Sequence, residues 1–401
     1  MATDHQTAST TTMLRVMNER AVFGEIFRLG PVSRPELAQA TGLSKPTISV
    51  ALANLGRAGL VREVGLRAGP AGRSAVLYEA RPEAGWVLAV DIGRSFVRLV
   101  LANLAGTIVT RIDDPSGSRN PTDLLAQLTG LADRLTAQVG ITRADVTLTV
   151  FGTPGIHDKE TGSLHLAPNL PGWDLPGAVD RFSVVSPSPY LVENDTDLAA
   201  VGEATHGLGL GVAHFAYMSI GTGTGMGIVI DGKLYRGARG CAGEISYLPI
   251  GEGDPLQDDP AATRRGMFET VASADGIVAA AQRLGWTKAT SAKEVFDAAR
   301  AGDPIAQRAV EVEVNHVAHA LAAVTAVLDL ELIVLGGGVG VQGGDLLIGP
   351  IQDRLRHLVA LQPPRIEVSS LGADAVLDGA VAVGVTAARD LVLDRTVAAN
   401  A

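Results

Sequence analysis

The sequence predicts an α/β protein in two unequal parts, a small N-terminal winged helix-turn-helix followed by a larger two-lobed domain around a cleft. Three observations carry that expectation. Residues 33–52, SRPELAQATGLSKPTISVAL, have the spacing of two short helices joined by a tight turn. Charge is divided: residues 1–80 hold 9 Lys and Arg against 6 Asp and Glu, a net +3, and the remainder holds 24 against 37, a net −13. Residues 87–112 and 215–237 repeat one order of strand, glycine turn, strand, turn and strand.

Residues 1–12, MATDHQTASTTT, lack the basic-then-apolar order of a secretion signal and read as a disordered tail. The winged helix then covers 13–80. Leu14, Met17, Val22, Ile26 and Leu29 recur at near-helical spacing and predict a first helix. Ser33 caps the second helix, with Glu36 in the capping-box position, and Gly42 takes the left-handed turn. Leu37, Ile48 and Ala51 point inward. Ser44 caps the third helix and Pro46 falls in its first turn. Arg34, Ser44, Lys45, Thr47, Ser49 and Asn54 are candidate DNA contacts, with the last four on the outer side of the third helix. A Gly/Pro-rich loop between two short strands forms a wing whose Arg67 and Arg73 suit a narrow minor groove. The plain alternative is a three-helix packing module; the basic charge and the exposed polar residues favour double-stranded DNA.

In the larger part, each repeated hairpin begins with a phosphate-sized glycine turn: Asp91 and Gly93 in the first, Gly221, Thr222 and Gly223 in the second. The run LELIVLGGGVG brings a strand into Gly336 and Gly337, which reads either as a nucleotide loop or as a tight strand-to-helix turn. Polar groups fall at strand ends after VTLTV and after YLVE, where clefts of α/β folds bind ligands. Asn194 and Asp195 also stand where a helix begins, so simple N-capping is the competing reading.

Together these residues resemble the ROK family of repressors, open reading frames and sugar kinases, over nearly the whole chain. The resemblance rests on Gly152-Thr153-Pro154-Gly155, Asn169-Leu170-Pro171-Gly172-Trp173, Glu193-Asn194-Asp195, the loop of Gly221, Thr222, Gly223 and Gly225, and Ala242-Gly243-Glu244, in that order. It implies an actin-like ATPase fold of sugar-kinase type, with a first lobe of 86–192 plus 375–398 and a second of 193–374. It further implies sugar contacts from Gly155, Asn169, Asn194, Asp195, Glu244, Tyr247 and Glu269, with Asp195 matching the base of the family's kinases.

Two departures from the family pattern argue against turnover. Asp91-Ile92-Gly93-Arg94-Ser95 stands where the kinases read D-x-G-G-T, so Arg94 either obstructs the backbone or clamps a phosphate. The cysteine-rich zinc segment is replaced by GEGDPLQDDPAATRRGMFE over 251–269, and Ser246-Tyr247 replaces the G-H pair, so no zinc and no other cofactor is expected and ATP binding is left open. Tyr247 either stacks on a sugar or fills the space the zinc would take. The single cysteine, Cys241, excludes a disulfide framework and reads as a buried small residue. No uncharged apolar run reaches the ~18 residues of a membrane span. The expectation is a cytoplasmic, non-enzymatic, sugar-responsive regulator, dimeric or tetrameric on a two-fold operator. Its effector is a sugar or sugar phosphate, and an ATP-dependent sugar kinase with a DNA-binding domain is the alternative.

Overall fold

The computed structural model describes residues 2–68, 74–117, 120–167, 169–251 and 265–399, with side chains from 13 to 395. Arg73 and most of the 251–269 segment therefore lie outside the described residues. Helices α1 (Ala2–Leu29), α2 (Arg34–Thr41) and α3 (Lys45–Arg57) are followed by a hairpin of β2 (Val61–Ala68) and β3 (Ser74–Ala80), with the short β1 (Val32–Ser33) on its edge. Ser33 and Glu36 form the capping box, and Gly42 closes α2 at φ 70°.

Two expectations fail in α1. The segment read as a disordered tail is helical from Ala2, in keeping with a run to Phe23 that has neither Gly nor Pro. The predicted apolar face is buried only at Val22 and Ile26, joined by Phe23; Leu14 and Met17 are 55% and 56% exposed and Leu29 is also exposed. The C-terminal half of α1 is the part that meets the other two helices.

The larger part contains two five-stranded sheets of the same order. The first runs β10-β7-β4-β5-β6, from β4 (Trp86–Ile92), β5 (Phe96–Asn103), β6 (Ile108–Pro115), β7 (Leu148–Thr153) and β10 (Tyr190–Asn194). Between β7 and β10 lies a small hairpin of β8 (Ile156–Asp158) and β9 (Ser163–His165), and α4 (Pro121–Ala137) packs against the sheet. The second runs β13-β12-β11-β14-β15, from β11 (Phe215–Ile220), β12 (Thr224–Ile230), β13 (Lys233–Tyr235), β14 (Leu332–Gly336) and β15 (Arg365–Val368). In each, an antiparallel meander is extended by two parallel strands. The repeat visible in the sequence as two hairpins thus extends to whole sheets.

Each sheet's last strand leads into a helix: α5 (Asp195–His206) after the first, and the C-terminal helix 375–399 after the second. These two helices lie against each other at the join of the sheets. Gly202 and Gly379 make that contact reciprocal, since a Cβ on either would run into the backbone of the other helix at Ala375 or Leu198. The second lobe is completed by α6 (Met267–Ala272), α7 (Ala274–Arg283), α8 (Ala292–Arg300), α9 (Pro304–Leu328) and α10 (Gly337–Leu358), so the C-terminal helix is α11. No helix among the described residues is long and apolar enough to cross a membrane.

One apolar core runs without a break from the winged helix into the first lobe. It joins Phe23, Ile26, Leu55 and Tyr78 to Val87, Val100, Val385 and Leu393. Arg389 of α11 donates to the Leu104 carbonyl at 2.7 and 2.9 Å and lies over the Phe27 ring at 3.9 Å, while Arg20 pairs with Asp390 at 2.8 Å. The DNA-binding candidate is therefore seated on the first lobe, with no free linker between them.

Candidate functional site

The helix-turn-helix presents part of the expected polar set. Lys45 is exposed at the start of α3. The Ser44 hydroxyl accepts from the Thr47 amide at 3.3 Å and contacts the Thr47 hydroxyl at 2.8 Å, and Ser49 donates back to the Lys45 carbonyl at 3.0 Å. Asn54 is a correction. It faces inward, 9% exposed, donating to Glu19 at 2.5 Å and accepting from Arg57 at 2.5 Å. The reason is that α1 crosses behind the C-terminal half of α3 and supplies a carboxylate there. Arg34 bonds the Tyr78 hydroxyl at 2.5 Å, and Arg67 is held against Glu36 at 2.7 Å and the Pro31 carbonyl at 3.1 Å.

In the larger part, strand ends converge between the two sheets. Asp91 is the penultimate residue of β4 and is buried; its cross-strand partner is Arg98, whose Nη1 donates to it at 2.9 Å. Burial raises the Asp91 carboxyl to about 6 against the pull of that guanidinium. Arg98 also lies over the Phe96 ring at 5.4 Å and within 3.7 Å of Asp113. Sequence reasoning overlooked Arg98, although its place in the hairpin opposite Asp91 was open to counting.

Asp195 opens α5 in a half-buried position, accepting from the Thr196 amide at 2.7 Å. Burial, then the Asp91 charge, then Glu244 push its carboxyl up to about 7, more than the Thr196 bonds pull it down. Asp197, buried two residues on, is raised to about 7 by burial and by Glu193, Asp195 and Glu244, with Arg236 acting the other way. Glu244 is raised by burial and by Glu269, and the Tyr247 hydroxyl by burial and both glutamates. These acids lie close enough to feel one another's charge. Asp197 was read only as part of a helix start; its burial has no local signature.

Asn194 serves as the N-cap of α5. Its Oδ1 accepts from the Thr196 and Asp197 amides at 2.9 and 3.0 Å, and its Nδ2 donates to the Gly155 carbonyl at 3.0 Å. The competing reading therefore accounts for most of its bonding capacity and leaves one amide proton. Gly155, at φ 82°, abuts His165 and Ala167, which draws the turn bearing exposed Asn169 to the same edge.

Around the second turn, Gly221 donates to the Gly223 carbonyl at 2.9 Å and the Thr224 amide donates to Glu269 at 3.1 Å. Glu269 is held in turn by Arg265 at 3.2 Å. The Tyr217 ring fills the space beside Gly336, its hydroxyl is bonded to the Gly337 backbone, and Gly337 takes φ 72° against Ile220 before α10 begins. They form a tight strand-to-helix turn whose missing side chains make room for protein atoms. Ser246 is buried and Tyr247 is 42% exposed. Cys241 is exposed, contrary to expectation, while its neighbour Ala242 is the residue that packs on the core.

A family model described as "ROK family" matches residues 87–387. A glucokinase of Halalkalibacterium halodurans is 31% identical over 319 residues, 73% of this chain and 93% of its own length. A xylose repressor of Caldicellulosiruptor bescii is 25% identical over 392 residues, 93% of this chain and 96% of its own. Among solved structures, a ROK family transcriptional regulator described as a homolog of E. coli MLC superposes with a TM-score of 0.77 at 24% identity, covering 96% of this chain and 99% of that one. A ROK hexokinase from Thermus thermophilus covers 76% of this chain and 99% of its own, with a TM-score of 0.64 at 24% identity. The repeated sheets and the helices packed at their join are thus those of a known architecture, and this chain belongs to the ROK family.

Proposed function

We propose that the chain is a cytoplasmic, sugar-responsive transcriptional repressor that binds a two-fold operator as a homodimer or tetramer and does not turn over ATP. The observation that carries this reading is the continuous core between winged helix and first lobe, because movement of that lobe must move α3 with it. The relative named xylose repressor aligns over 93% of the chain, which supports the same reading. Among the described residues Asp195, Asp197 and Glu244 have no ion-pair partner. Carboxyl groups without an ion-pair partner offer a phosphate no counter-charge and suit hydroxyls, so the effector is an unphosphorylated sugar. Asp91 is neutralised by Arg98, which removes a carboxylate from the place where a metal–phosphate complex would need it. No zinc is required, since the chain has a single cysteine.

The kinase alternative draws on the open second glycine turn and on the 31% identity to a glucokinase. One titration separates the readings. Operator binding is measured with and without each sugar of a panel, for wild type, Asp195→Ala and Glu244→Ala. One sugar should weaken wild-type binding, with both variants binding operator normally and ignoring that sugar. A shift from 99:1 to 1:99 requires ~5.5 kcal/mol of differential affinity, within reach of a few charged hydrogen bonds at ~1.5–3 kcal/mol each. Variants that respond like wild type place the effector elsewhere; phosphoryl transfer at ~1 s⁻¹ or more establishes the kinase.

A further inference from the structure

The outward face of α3 differs from the one its sequence pattern assigns. With Asn54 turned inward, the exposed positions are Lys45, Pro46, Val50, Ala53, Gly56 and Arg57, and Thr47 and Ser49 are half-exposed. Pro46, Val50, Ala53 and Arg57 follow one another at helical spacing, so they form a single stripe. Val50 is 55% exposed at its centre. A β-branched residue on an exposed helical face loses rotamer freedom with no packing in return, so folding gives no reason for valine there. The neighbours on the stripe are small and apolar, its flanks are the cations Lys45 and Arg57, and α3 carries no acidic residue. Small side chains let a helix backbone sit deep in a groove, and the flanking cations match phosphates on either side.

We propose that Val50 reads a thymine: its isopropyl group packs on the C5-methyl in the major groove, fixing a T·A pair beneath the middle of α3 in each operator half-site. This rests on the DNA-binding reading above. The partner is duplex DNA, since a protein partner would leave the cationic flanks and the absence of acids without a role.

The test uses full-length protein and an operator recovered from random-sequence duplexes. Each thymine of the half-site is replaced in turn, symmetrically, by deoxyuridine, which lacks only the methyl, and binding is titrated for wild type and Val50→Ala. At one position the replacement should weaken wild-type binding about fourfold per half-site, about fifteenfold for both, as expected for one buried methyl. Val50→Ala should bind the thymine duplex correspondingly less tightly and be indifferent to the replacement at that position. Val50→Thr, which keeps one methyl, should fall between. Alanine is the better helix former, so loss of fold does not account for weaker binding. Wild-type indifference at every thymine, or unchanged sensitivity in Val50→Ala, overturns the assignment. Failure to recover any preferred duplex overturns the DNA-binding reading itself.

Discussion

The turns after β4 and after β11 occupy equivalent places in equivalent sheets, and the residue pairs beneath them differ. Under the first, the penultimate cross-strand pair is Asp91 with Arg98, joined at 2.9 Å. Under the second, the corresponding pair is Ser219 with Gly225, with neither charge nor bulk. The second turn is instead tied from the side, by Glu269 to the Thr224 amide. A repeated backbone therefore supplies two anion-sized turns, and the side chains below decide which one still has room and charge to receive an anion.

Arg98→Met should break the first turn most severely. It leaves the buried Asp91 carboxylate without its partner, a loss of about 3 kcal/mol at pH 8 by the usual cost of halving a buried pair. Because the Asp91 carboxyl already sits at about 6, the loss should shrink at pH 5, where the acid takes up a proton. Arg265→Met, removing the outer support of Glu269, should cost less than about 1 kcal/mol, since Arg265 is 38% exposed. Urea titrations of both variants at the two pH values measure this. Equal losses would erase the distinction between the turns.

Asp195, between the turns, gives a second effect. Its carboxyl keeps a proton in the folded state to about pH 7, whereas an unfolded aspartate gives it up near 3.8. The folded chain thus holds more protons between those values, and this contribution to stability is complete below about pH 4 and lost as pH rises through about 7. Asp195→Asn should match wild type at pH 4 and exceed it by up to about 4 kcal/mol at pH 8, at about 1.4 kcal/mol for each unit by which the carboxyl is raised. Denaturation midpoints across that range are the measurement; a wild type that gains on the variant as pH rises would place the carboxylate in a stabilising partnership absent from the cleft described above.

The smallest effect concerns Arg94. Arg94→Gly restores the second glycine of the first turn, and magnesium–ATP affinity by equilibrium dialysis should rise about fivefold, ~1 kcal/mol. Turnover should stay absent because Arg98 still neutralises Asp91. Unchanged affinity would assign the obstruction to the Asp91–Arg98 pair alone, and turnover in this variant would mean that pair is no obstacle.

Local chemistry made the N-terminal motif legible, because caps and turns are settled within a few residues: Ser33 with Glu36, Ser44 with Thr47, and Gly42 all stand as the sequence implies. The strands were equally plain where apolar runs stop at glycine, as around Asp91 and Gly221. Sequence by itself thus determined the order of elements, the two hairpins and the charge division. Tertiary structure alone decided which face of a helix is outside and which charges meet. Asn54 turned inward because Glu19 arrives from α1, the Tyr217 ring came to lie against Gly336, and Asp197 is buried where α5 packs against Gly227 of β12. Each depends on a partner far away in the chain, and burial energies are set by such partners, whereas a cap or a turn depends only on its neighbours.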